Sequence, residues 1–320
     1  MSVDTRVTRT LTADKHVKEF SPFHEPAYRV APGERIRIET LCASSGVIRV
    51  GATAPTNEAL YAKTGWVLGM PMTGPIYVEG AEPGDALAVY IEGIDFEDAG
   101  WTVAQPGRGA SGDLITEAEV RVLPIKGQEI AFGFGLTLPV APMIGAIGTA
   151  PRDRALSSGI PEAHGGNMDC MLIKPGATLY LPVNVPGALL GLGDLHAAQG
   201  DGEVGMAGLE VNGSVTAQLR VVKHPTMPLP LVDTGRIVTA IVSAPDLDEA
   251  ARRAVQEMVT WIAARTELGI NDANMLVSLV GDVRICQIVD PLMTCRLDMP
   301  KEILTRIGID LLASGPQADG

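Results

Sequence analysis

The stretch APGERIRIET (residues 31–40) carries the reading of the fold. Pro-Gly suits the middle of a tight turn, and the residues behind it alternate apolar and polar, as a strand with one buried face does. The same unit returns as EPGDALAVYI (82–91) and KPGATLYLPV (174–183). Its recurrence, with no long helical periodicity before about residue 240, predicts a mainly β chain: an antiparallel β-sandwich-like core with a C-terminal α+β portion. The alternating runs on either side of Asn212-Gly213 read as a hairpin, because that dipeptide favours a type I′ turn.

The character of the chain changes at HPTMPLPLVD (224–233), whose prolines oppose regular pairing and mark a connector in which His224 is structural. The expected division is a β-rich catalytic region, 1–225, and an α+β region, 226–320, packed on it. In the latter, 236–242 reads as a strand, and Asp246 with Glu249 forms a capping box for a helix ending near Gly269. Its apolar stripe is Leu247, Ala251, Val255, Met258 and Ile262, with Met258 and Trp261 read as core. Asn271 caps a second helix through Ser278, and 283–289 and 294–297 return as strands. Residues 131–151 carry no charge but are broken by four glycines and three prolines, which predicts buried, turn-rich core rather than a membrane span.

A chain of 320 residues that is 46% hydrophobic can bury a proper core. Its net charge of −13 argues against nucleic acid and against anionic membrane surfaces, leaving small molecules and further copies of the chain as partners. A homo-oligomer is expected, since strand edges need cover and the α+β part can supply it. The first ten residues show no apolar signal core, and four cysteines without CxxC pairing form no disulfide framework, so a reducing cytoplasm is the expected location. His16 and His24 lie in a polar, proline-containing segment without ligand spacing and read as surface.

Chemistry concentrates in HGGNMD (164–169) and GLGDLHAAQGDGE (191–203). If the run into Asp194 is a strand, Asp194 and His196 share a face, and the glycine turn behind them returns Glu203 to the same place. His164 and Asp169, beside the Gly165-Gly166 pair, can complete a histidine and carboxylate set with an open position for water. Two rival readings stand beside this one. In a thiol amidase Cys170 is the nucleophile and His164 its base; in a non-catalytic β-sandwich the same groups hold calcium or a sugar.

The strings PEAHGGNMD (161–169) and GDLHAAQGDGE (193–203) resemble the acetamidase/formamidase family of amide hydrolases. MTGPIYVEGAEPGD (72–85), PMIGAIGTAP (142–151) and DVRICQIVDPL (282–292) match in the same order. The resemblance implies a β-rich, metal-associated hydrolase that releases ammonia from short aliphatic amides. It implicates His164, Asn167, Asp169, Asp194, His196 and Glu203, with Thr73 and Glu79 lining the site. The chain departs from the pattern at Cys42 and Met70, which are placed in the substrate pocket with them.

An amide needs a polarised oxygen, an activated water and a proton for its nitrogen. A divalent cation, zinc first and calcium as the alternative, answers the first two needs. His164, Asp194 and His196 are the expected ligands, Glu203 the general base and acid, Asn167 the group holding the amide, and Asp169 a ligand or an orienting partner.

Overall fold

The computed structural model describes residues 9–46 and 69–311. The three Pro-Gly units are built alike. Gly33, Gly84 and Gly176 adopt φ of 85°, 98° and 88°, the positive angle such a turn asks of its third residue. Each turn closes with a backbone hydrogen bond, Glu34 N to Ala31 O, Asp85 N to Glu82 O and Ala177 N to Lys174 O, at 3.0 to 3.1 Å. All three strands that follow, Arg35–Thr40, Ala86–Phe96 and Thr178–Pro182, enter one nine-stranded sheet.

A second sheet contains Leu190–His196 at its centre, flanked by Met143–Gly148 on one side. On the other side its partner changes part-way. Leu192 and Gly193 lie opposite Thr73 and Met72 of Met72–Val78, whereas Leu195 and His196 lie opposite Val211 and Glu210 of Glu210–Val211. Asp194 sits at the break between the two partners. Pairing is antiparallel throughout both sheets except for two short parallel pairs, Arg9–Leu11 with Arg35–Thr40 and Tyr28–Val30 with Met72–Val78. The chain is therefore mainly β, with a small C-terminal helical portion.

The sheets face one another across a single apolar cluster. Ile36, Ile38, Val89 and Leu219 from the first sheet meet Ile144, Ile147 and Leu192 from the second. The strand Ile237–Ala244 sends Ile241 into this core and Val238, Ala240 and Val242 to the opposite face, as period-two alternation requires. That outer face is covered by helix α1, Leu247–Arg265, and helix α2, Ile270–Val280; a short α3, Lys301–Arg306, closes the end. Asp246 caps α1 by accepting from Glu249 N at 2.8 Å. The side chain of Glu249 pairs with Arg252 instead of returning to the cap. The buried stripe runs through Ala250, Ala254, Met258 and Ile262, rotated from the expected one, because Leu247, Ala251 and Val255 lie at its margin. Gly269, not Asn271, precedes the first turn of α2.

Two further expectations are corrected. Asn212-Gly213 is not a hairpin turn: Glu210–Val211 belongs to the second sheet and Gly213–Val222 to the first, so the chain crosses between sheets there. Asn212 is consumed in the crossing, its Oδ1 accepting from Cys42 N at 2.9 Å and its Nδ2 donating to Glu97 at 3.1 Å. The glycine serves close approach, since a Cβ there would lie 2.2 Å from Asp95 O. The uncharged segment is also only half core. Met143–Gly148 is fully buried, but Leu136–Pro139 is an exposed edge strand, and Arg121 stacks on Phe132 and Phe134 of its hairpin.

Candidate active site

At the break in the second sheet five carboxyl groups gather around one imidazole. His196 Nε2 lies 2.8 Å from Glu210 Oε1 and 3.7 Å from Asp194 Oδ1, and Nδ1 lies 3.7 Å from Asp169 Oδ1. Glu203 joins Asp169 and His196 in one group of converging donor atoms, and Asp194, His196 and Glu210 form a second. Asp290 completes the ring, accepting from Asn167 Nδ2 at 2.8 Å. Asp169, Asp194 and Glu203 take φ of 46°, 58° and 44°. Non-glycine residues enter that region at a cost of about 1–3 kcal/mol each, which the surrounding packing must hold.

Neighbouring elements impose this arrangement. Gly145 lies between the residues opposite Leu195 and Gly193, hence across from Asp194, and a Cβ on it would come within 2.7 Å of both Asp169 Oδ1 and Asp194 Oδ2. A Gly145→Ala variant is accordingly expected to push these carboxylates apart and destabilise the fold by about 1–3 kcal/mol, read by urea unfolding. The turn carrying Glu203 is anchored from the C-terminal part. Asp201 receives a two-pronged pair of hydrogen bonds from buried Arg296 at 2.7 and 2.8 Å, while Gly202 bonds Cys286 and Ile288 through its backbone. Gln199 holds the imidazole: its Nε2 donates to Asp169 O at 2.9 Å, which turns its Oε1 to His196 Nδ1 at 2.6 Å. That orientation makes Nδ1 the donor and points Nε2 at Asp194 and Glu210.

The electrostatics are unbalanced. Burial is the largest influence on Asp169, Glu203, Glu210 and Asp290, and with the neighbouring carboxylates it pushes all four upward, Glu210 to about 7. Burial opposes a charged His196, yet Glu210 and Asp194 beside it lift it well above the ordinary imidazole value. Both oxygens of Asp169, Oδ1 of Asp194 and Oε2 of Glu210 have no hydrogen-bond partner although buried. Buried acceptors this close suit a cation: ligand atoms around a bound zinc stand roughly 3 Å apart. The protein's own groups therefore fit a divalent ion. Without one, Glu210 keeps its proton more tightly folded than unfolded, so its contribution to stability is present below its ordinary 4.5 and lost as pH rises through about 7. Melting of the chelated protein is expected to fall over that window, by a few kcal/mol in stability, and a restored cation to remove the fall.

The remaining expected site residues are dispersed. A cavity of about 340 Å³ opens over the cluster, lined by Asn167, Asp194, Glu203, Glu210 and Asp290 on its polar side and by Met70 and Trp101 among its apolar walls. Cys42 lies behind that wall, taking a hydrogen bond from Trp101 Nε1 at 3.4 Å. Thr73 turns away and donates to Glu39 O at 2.5 Å. Glu79 is exposed beyond the far end of Met72–Val78, about 20 Å along the strand from Met72. His164 is not brought to the cluster: Gly165 pairs with Gly148, three residues down the strand from Gly145, and the ring packs edge-on against Phe20 at 4.8 Å. Burial holds it neutral, down to about 4. Cys170 is sealed beside Cys286 and Arg296, whose proximity lowers its thiol, and it neither lines the cavity nor meets His164. This removes the geometry a thiol amidase needs.

Residues 3–160 and 154–306 match the sequence profile of the Acetamidase/Formamidase family. The chain belongs to the acetamidase/formamidase family. Among solved structures, the acetamidase of Bacillus halodurans superimposes with a TM-score of 0.90 at 39% identity, covering 94% of this chain and 100% of that one. A predicted acetamidase/formamidase of Thermoanaerobacter tengcongensis gives 0.88 at 39%, covering 94% and 98%. The formamidase of Methylophilus methylotrophus is 26% identical over 251 residues, 61% of this chain and 61% of that protein. The chain thus spans less than two thirds of this curated relative's length. Within the acetamidase/formamidase chain described here, Glu210, Asp290, Gln199 and Trp101 are the site residues that sequence reasoning passed over. Asp290 had a signal, standing in the DVRICQIVDPL motif.

Proposed function

We propose that the protein is an amidase that hydrolyses the C–N bond of primary amides to a carboxylate and ammonia, using a divalent cation held by the carboxylate and histidine cluster. The carrying observation is the set of buried, unpartnered acid oxygens converging on His196 beneath a cavity of about 340 Å³. Asp194, His196 and Glu210 would hold the ion, which leaves Glu203, in the other converging group with Asp169 and His196, free to carry a proton. When bound, it supplies Lewis-acid polarisation of the carbonyl and a lowered pKa for water. One imidazole per group, rather than two, leaves a carboxylate-rich set that suits zinc and also admits a harder cation such as calcium.

The protein groups account for the remaining steps. Asn167 is steered by Asp290, so its unpartnered Oδ1 is offered to the substrate's NH2. Glu203 lines the cavity and takes the proton of the attacking water; after addition to the carbonyl carbon it returns that proton to nitrogen, the C–N bond breaks, and ammonia leaves. Purified protein is expected to release ammonia and carboxylate one-to-one from acetamide. No ammonia from any primary amide would remove the reading and leave a binding protein.

We propose further that the protein is cytoplasmic, which four free, buried thiols suit, and that it self-associates. No helix among the described residues is long and apolar enough to cross a membrane. The strand Asp282–Gln287 is an edge of the first sheet, and beside it α2 exposes Met275 and Leu279, the latter 82% exposed, with Val283 and Ile285 adjoining. A second copy fits by antiparallel pairing about Val283, which sets Asp282 against Arg284 of the second copy and the reverse. Light scattering is expected to show a dimer or larger assembly that Leu279→Glu dissociates; a monomeric wild type would contradict this.

A further inference from the structure

Among the described residues that line the cavity, Arg108 is the basic one, set against Asp194, Glu203, Glu210 and Asp290. The acids are buried or half-buried and Arg108 is exposed, which puts the guanidinium at the opening and the carboxyl groups at the floor. We propose that Arg108 receives the carboxylate product at the mouth of the cavity and draws it off the acid cluster. The inference rests on the amidase reading above and adds a product-binding residue to that same site. A primary amide and water enter without charge; a carboxylate and, once protonated, ammonium leave. The acid floor suits ammonium and repels the carboxylate, so the anion needs a partner of its own.

The guanidinium is uncommitted. Among the described residues its side chain makes no hydrogen bond or ion pair, and the charges acting most on Glu203, Glu210 and Asp290 are their acid neighbours and His196, not Arg108. It stays charged at any working pH and offers a fork of donors that meets both oxygens of a carboxylate. Its backbone is held in place. Arg108 N donates to Gln105 O at 3.2 Å and Gly107 N to Gly112 O at 3.0 Å, winding 105–112 into a compact loop. That loop is fastened to the turn that carries Glu203. Ala110 N donates to Val204 O at 2.8 Å, and Gly109 approaches so closely that a Cβ would lie 2.7 Å from the same oxygen. The residue that receives the anion is thereby braced against the one that moves the proton.

The test compares Ki for acetate, as an inhibitor of acetamide hydrolysis, with KM for acetamide. It is made at constant ionic strength on the wild-type full chain, Arg108→Gln and Arg108→Lys, read as ammonia release. Acetate should inhibit the wild type. Arg108→Gln should raise Ki about fivefold more than it raises KM, the upper end for an exposed ion pair. Arg108→Lys, which keeps the charge without the fork, should recover part of that difference. A Ki-to-KM ratio unchanged in Arg108→Gln, as when the residue holds substrate and product alike, or a wild type indifferent to acetate, would overturn the inference while leaving the amidase reading intact. Absence of ammonia from every amide would overturn both.

Discussion

Replacing His196 with alanine is expected to lower kcat for acetamide on the order of 10³-fold and to remove tight cation binding altogether. His196 is shared by both groups of converging donors, so neither survives its loss, whereas any single carboxylate belongs to one group only. The effect should not resemble unfolding. The ring is replaced by a smaller side chain, and the acid groups around it, already pushed upward by burial, take protons instead. Isothermal titration with zinc and a circular dichroism melt on the same preparation separate the two causes: lost binding with a retained transition assigns His196 to the ion, and retained binding removes it.

Glu203→Gln is expected to lower kcat by about 10²–10⁴-fold, the range for loss of a general acid–base, with KM changed little. The amide keeps an oxygen able to approach the ion, so cation affinity should fall far less than in His196→Ala. Glu203 reaches the cavity from a turn that Arg296 anchors through Asp201, and its left-handed backbone holds the carboxyl in place. Turnover left intact in Glu203→Gln would take this residue out of the chemistry. Cation binding lost as completely as in His196→Ala would make it a ligand first.

Local turn chemistry explains why the fold was legible. Pro-Gly followed by alternation needs nothing beyond its own few residues, and all three copies became strands of one sheet. The same confidence in a dipeptide misplaced Asn212-Gly213, because tertiary demand used the asparagine amide for Cys42 and Glu97 and the glycine for close contact with Asp95. The convergence of Asp194 and His196 with Glu203 could be read from strand and turn spacing, although Asp194 achieves it with a left-handed backbone at a change of strand partner rather than by simple alternation. Glu210 was hidden because it sits in an ordinary apolar run and meets the site only through sheet pairing, whereas Asp290 stood in the DVRICQIVDPL motif but reaches the site only through a distant loop. His164 misled for the converse reason: nearness in sequence to Asn167 and Asp169 does not survive a strand that carries its ring to Phe20.

The central claim, that this carboxylate-lined cavity is an amidase site organised by a cation, is tested most directly by one titration. The protein is stripped with chelator, and ammonia release from acetamide is followed as zinc, and separately calcium, is returned in substoichiometric steps. The account predicts no turnover in the stripped protein and a linear recovery that saturates at a fixed small number of ions per chain. Full turnover in protein shown by elemental analysis to be free of metal would contradict it.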